Sequence, residues 1–203
     1  MKTKISLKRP LFISIVGIVL SSIILLALNW ANRDSSIKSN SKLTGYIQDI
    51  NYPKQISGLP VLLRIPKINV DANVKYVGLT QGGAMDVPKG PDEVAWFEYG
   101  PRPGDTGSAV ISGHYGWKND IPAVFDDLHK LIKGDKIYID SETGTTTTFI
   151  VRESKAYGEN EKATDVFDSG DGKIHLNLIT CQGTWNKTKK SYSKRLVVFA
   201  DKE

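Results

Sequence analysis

The stretch Ile174 to Gly183 constrains the chain most. Ile174, Leu176 and Leu178 alternate with His175 and Asn177, the period-two pattern of a strand with one buried face, and Gln182-Gly183 breaks it. On this pattern His175 is a solvent-face residue. The strand delivers Cys181 to its end. Cys181 is the only cysteine in 203 residues, so it has no disulfide partner within the chain. A lone thiol where a strand gives way to a polar loop is a candidate nucleophile; a small buried hydrophobe is the competing reading.

The N-terminus carries a second constraint. From Leu11 to Leu28 every residue is apolar, glycine or serine, and Lys2, Lys4, Lys8 and Arg9 stand just before the run. Such a run can just span a bilayer, and its cationic flank places everything after Trp30 outside the cell. A cleaved signal peptide is the alternative, but Leu26 to Ala31 offers only a weak small-residue cleavage site. The formal charge of +5 mostly reflects this topology. Residues 1–30 hold four basic and no acidic residues, which leaves 23 basic against 22 acidic in the remainder. An exterior so nearly balanced gives no case for nucleic-acid binding. With one cysteine no disulfide framework staples the fold; a hydrophobic core has to hold it, and a domain of about 145 residues is long enough to build one.

Residues 31–58 are rich in Ser, Asn, Lys and Gly without sustained period and read as a linker. An arm packed on the domain is the other reading of this segment. The domain, residues 59–203, then has short strands separated by Gly and Pro turns: Val61 to Ile65, Val70 to Val77, Ser108 to Ser112, Lys136 to Asp140, Thr146 to Ala156, the strand ending at Cys181, and Arg195 to Ala200. Asp92 to Tyr99 reads as one helical turn, and Pro122 to Leu131 as the best helix, with Val124, Leu128 and Leu131 on one side. Gly158 to Gly172 is a polar loop with a helical turn around Ala163 to Phe167, and Gln182 to Ser193 is a second polar loop. Many short strands with few helices predict a mainly β barrel or sandwich rather than βαβ units.

A thiol nucleophile needs a base or a cation nearby. His114 ends a strand and opens a glycine-bearing loop, the same kind of address as Cys181. His129, late in the expected helix, suits the helix dipole. No HExxH or paired-cysteine pattern suggests zinc. Arg195 opens the closing strand; antiparallel pairing with the Cys181 strand would bring its fork of donors to the thiol, where a tetrahedral oxyanion would need it. Lys187, Lys189, Lys190 and Lys194 read as a solvated loop.

Three segments resemble the sortases, cysteine transpeptidases of Gram-positive cell surfaces: Pro103-Gly104 with Gly107 to His114, Leu178-Ile179-Thr180-Cys181, and Arg195 to Val198. The resemblance extends from about Leu59 to Ala200. It implies an eight-stranded β-barrel with one or two short helices and a catalytic set of His114, Cys181 and Arg195. By similarity, Cys181 would cleave an LPxTG-type sorting signal between Thr and Gly through a thioester. His114 would serve the leaving and incoming amines, Arg195 the substrate and the oxyanion. Thr180, Ala109 and Ile111 would line the groove. The implied partners are surface proteins bearing the signal and an amine acceptor of the cell wall, a peptidoglycan precursor, at the cell membrane.

The departures bear on subtype. Asn177 stands where the family often has threonine, no Asp-Pro-aromatic lid is visible between Ser35 and Leu59, and no apolar span follows Arg195. These features resemble the smaller class D, E or F enzymes. Some sortases bind calcium, and Glu159, Glu161, Asp165, Asp168 and Asp171 raise the idea; scattered carboxylates on a solvated loop are the preferred reading, with no metal and no cofactor. An L,D-type cell-wall transpeptidase would keep its histidine and cysteine close in sequence, whereas here they lie 67 residues apart. A non-catalytic envelope-binding β-domain with a buried Cys181 is the rival from another class.

Overall fold

The computed structural model describes residues 57–159 and 161–203. The expected anchor, and the expected linker apart from Ser57 and Gly58, lie outside them. Among the described residues no helix is long and apolar enough to cross a membrane.

Eight strands close into a barrel: β1 (Pro60–Ile65), β2 (Val70–Val77), β3 (Val94–Phe97), β4 (Gly107–Gly113), β5 (Lys136–Ser141), β6 (Thr146–Gly158), β7 (Ile174–Asn186) and β8 (Ser191–Lys202). Their order around the barrel is β1-β2-β3-β4-β7-β8-β6-β5, and β5 pairs with β1 to complete the ring. One short α-helix, α1 (Thr164–Phe167), and three 3-10 turns complete the secondary structure of the described residues. The mainly β barrel read from strand pattern and resemblance is the architecture observed.

Local chemistry explains the turns. Pro66 starts a 3-10 turn after β1 and Asn69, at φ 54°, ends it in the left-handed region that Asn tolerates, which reverses the chain into the antiparallel β2. Two pairings are parallel, β2 with β3 and β4 with β7; the latter runs from Gly107 opposite Ile174 to Ser112 opposite Ile179.

Alternation along the strands separates two cores. Ala109 and Ile111 of β4, Leu176 and Leu178 of β7, and Leu196, Val198 and Ala200 of β8 join the barrel interior, with Leu63, Ile65 and Phe149 from the far side. The opposite faces of the same strands give Val110, Val197 and Phe199 to a smaller outer cluster, where Val166 of α1 packs beside Tyr157.

Four sequence expectations are corrected. Val94 to Phe97 is a strand, not a helical turn, wedged between β2 and β4. The segment from Pro122 to Leu131 holds only a 3-10 turn, Leu128–Lys130, because its amides are spent on other elements: Val124 N–H donates to the Pro91 carbonyl and Phe125 N–H to that of His114. Residues 182–193 form a hairpin that extends β7 and β8 around a four-residue turn at 187–190. His175 is 3 % exposed. It escaped the solvent-face reading because both ring nitrogens find carboxylates, Nδ1 at 2.7 Å from Asp201 Oδ1 and Nε2 at 3.0 Å from Asp171 Oδ1.

Candidate active site

Cys181 and Arg195 are direct cross-strand partners in the antiparallel β7–β8 ladder. Side chains directly opposite on one face have Cβ atoms about 5 Å apart. Both residues share strand parity with the outer cluster, Cys181 with Ile179 and Arg195 with Val197. The thiol is half-buried. Burial pushes its pKa above the ordinary thiol value, and the Arg195 charge pulls it the other way.

The parallel β4–β7 ladder sets the position of His114. Ser112 is level with Ile179, so two residues on, His114 leaves β4 at the height of Cys181 in β7. Thr180 reinforces that alignment: its hydroxyl donates to the Gly113 carbonyl at 2.8 Å, in a buried setting. His114 Nε2 lies 2.7 Å from the Pro88 carbonyl oxygen, and its ring packs on Trp117 with centroids 4.6 Å apart. A carbonyl only accepts, so Nε2 carries the proton and Nδ1 the lone pair.

Arg195 is steered by backbone. Its Nη1 donates to the carbonyls of Tyr192 and Lys194, each at 3.0 Å. Tyr192 is in turn clamped between Trp185 and Tyr115, with ring centroids 5.1 and 5.5 Å away. This aromatic ladder joins the hairpin beyond Cys181 to the loop that follows His114. Of the hairpin lysines, Lys189 is engaged by Glu159 at 3.0 Å.

A depression of about 190 Å³ opens at the thiol, with Thr180 and Cys181 on one side and Tyr115, Phe125, Asp126 and His129 on the other. His129 has no helix dipole to complement, since the expected helix is absent. Sequence reasoning missed Asp126 and gave His129 only a helical role; the spacing Asp126-x-x-His129 carries a signal only once the turn is known.

Ala109 and Ile111, expected to line the groove, are fully buried in the barrel interior. Pleating puts them on the opposite face of β4 from the outer cluster, and the outward positions belong to Val110 and Ser112. The acidic residues around α1 each have their own partner. Glu161 accepts from Gly158 N–H, Asp165 from the Tyr157 hydroxyl, Asp168 from Gly170 N–H, and Asp171 from Lys173 N–H and His175. Among the described residues no three His, Cys, Asp or Glu side chains converge as a metal site.

A family model for the sortase domain matches residues 63–203. No curated protein matches the chain. Among solved structures, the chain is similar to sortase C-1 of Actinomyces oris at 25% identity, over 71% of this chain and 74% of that one, with a TM-score of 0.55. It is similar to a lid mutant of sortase A from Corynebacterium diphtheriae at 22% identity, over 82% and 81% of the two chains, with a TM-score of 0.57. For a sortase D5 transpeptidase of Clostridium perfringens the values are 22%, 81% and 89%, and 0.53. The barrel agrees with these structures in fold, the matched segment spans both His114 and Arg195, and the chain belongs to the sortase family of transpeptidases.

Proposed function

We propose that this sortase cleaves an LPxTG-type sorting signal between Thr and Gly through a thioester on Cys181 and passes the acyl group to an amine of the cell wall. The observation that carries the reading is the convergence of three residues from neighbouring strands: Cys181 opposite Arg195 in one ladder, and His114, just past the end of β4, level with Cys181 in the other.

Cys181 Sγ attacks the threonyl carbonyl as its proton passes to the free Nδ1 lone pair of His114, and the developing oxyanion meets the guanidinium of Arg195. His114 gives a proton to the leaving glycyl amine, which departs as the C–N bond breaks and the thioester remains. An incoming amine then attacks the thioester carbonyl, forming a new amide and releasing the Cys181 thiolate. Thr180 supports the arrangement from below through its bond to Gly113. The run from Leu11 to Leu28 supports a single-pass anchor with the barrel outside the cell, where surface proteins and peptidoglycan precursors are the partners. The short segment after Cys181-Gln182-Gly183 supports assignment to the smaller class D, E or F enzymes.

The test is intact-mass analysis of the full chain, in detergent, mixed with an LPxTG-type peptide and triglycine. The expected result is an acyl adduct on Cys181 followed by a ligated peptide, both lost in Cys181→Ala. Residual transfer by that variant overturns the thioester route. Ready alkylation of Cys181 in the folded protein without any adduct overturns the substrate class, and a Cys181 that labels only after unfolding supports the non-catalytic binding domain.

A further inference from the structure

We propose that Asp126 and His129 form the subsite that receives the incoming amine, recognised as a primary ammonium; the inference rests on the thioester reading above. The thiol shares its depression with His129 and Asp126, whereas His114, tied to the Pro88 carbonyl, is not among the residues lining it. The imidazole that shares the depression with Cys181 therefore comes from a different segment than His114.

The protonation of His129 follows from its partner. Its Nδ1 lies 3.0 Å from the Asp126 main-chain carbonyl, so Nδ1 carries the proton and Nε2 keeps a lone pair. The Asp126 carboxylate is held rigidly, with Oδ1 accepting from Gly116 N–H at 2.7 Å and Oδ2 from Ala123 N–H at 2.9 Å. Each oxygen retains accepting capacity for an N–H of an ammonium, the charge-assisted kind of bond that is shorter and stronger than a neutral one.

The ammonium binds at the Asp126 carboxylate and gives one proton to His129 Nε2. The freed nitrogen lone pair attacks the thioester carbonyl, a C–N bond forms, the C–S bond breaks and its electron pair leaves on Sγ. The amide nitrogen sheds its second proton to the Cys181 thiolate, and the proton held on His129 passes to water.

Binding is read by NMR on the full-length chain with ring-labelled histidine. Its three histidines give three ring signals, of which the one lost in His129→Gln is His129. Triglycine is expected to shift that signal saturably, N-acetyl-triglycine to leave it in place, and Asp126→Asn to weaken triglycine binding at least about tenfold. No shift, or an equal shift with both peptides, overturns the proposal. The kinetic counterpart is the ratio of ligated to hydrolysed peptide, expected to fall at least about tenfold in His129→Gln, the lower range for a lost proton acceptor. The neighbouring exposed Lys130→Gln is expected to keep the wild-type ratio. A wild-type ratio in His129→Gln overturns the proposal, and because that side chain is exposed the variant tests it even if Asp126→Asn disturbs the turn. A full-length chain that forms no adduct with the sorting peptide defeats the transpeptidation reading, while the titration still decides whether the ammonium subsite exists.

Discussion

Thr180 and Gly113 are joined by a single buried hydrogen bond, hydroxyl to carbonyl at 2.8 Å, across two parallel strands whose next residues are Cys181 and His114. Thr180→Val keeps the shape but strands the Gly113 carbonyl without a donor. The expected cost is about 1–3 kcal/mol in urea unfolding, with Thr180→Ser recovering most of it. Turnover should fall in the valine variant beyond what its folded fraction explains, since the register of thiol and imidazole is loosened. A valine variant as stable as the parent would remove this bond from the account.

Gly113 is itself irreplaceable for a steric reason. A Cβ there would sit 2.5 Å from the ring of Phe125, a side chain with no exposure in the interior core. Gly113→Ala is expected to destabilise by about 1–3 kcal/mol through overpacking, seen as an unchanged urea m-value with a lower midpoint. Because Phe125 also lines the depression beside Cys181, activity should drop with it.

The Cys181 thiol is pushed up by burial and held down by Arg195. Iodoacetamide labelling of the folded protein should therefore rise with pH through a midpoint above the ordinary thiol value of about 8.5. Arg195→Gln removes the opposing charge and should move that midpoint further up. Arg195→Lys keeps charge but not the fork, and its transfer rate should fall by about 10²–10³ if the guanidinium serves the oxyanion. A labelling midpoint below the ordinary value would contradict the assignment of burial as the larger influence.

Asp171 is held down to about 2, first by Lys173 N–H and then by His175. A carboxyl depressed in the folded state adds stability above its unfolded pKa of about 3.9, and that stability is lost as pH falls through the folded value. The advantage of the parent over Asp171→Asn should therefore be full at pH 5 and shrink steadily between about pH 4 and pH 2. Urea midpoints across that range measure it; a difference independent of pH would point to packing instead.

Seven of the eight strands are legible where apolar residues alternate or run together between Gly and Pro turns, and the antiparallel approach of Arg195 to Cys181 follows from strand order. What escapes the sequence is settled by partners distant in the chain. Val94 to Phe97 looks like a capped turn because four residues carry no period; only β2 and β4 on either side make it a strand. The polar hairpin reads as a loop because its stability comes from Trp185, Tyr192 and Tyr115 stacking across segments. His175 reads as exposed because alternation reports which face a residue is on, and here the outer face is covered as well. The same doubly covered sheet misled the choice of Ala109 and Ile111 over their outward neighbours.

Because β5 closes on β1, every barrel strand has a neighbour on each side, but some neighbours cover only part of a strand, as β4 does β7, which it leaves after Ile179. An extended peptide can therefore add itself by main-chain pairing only along those uncovered stretches, the mode that reads main-chain amides and leaves side chains to secondary pockets. One such stretch lies at the thiol: β7 loses β4 after Ile179, and from Trp185 to Tyr192 the hairpin pairs only with itself, so main-chain groups beside Cys181 are open to a bound peptide.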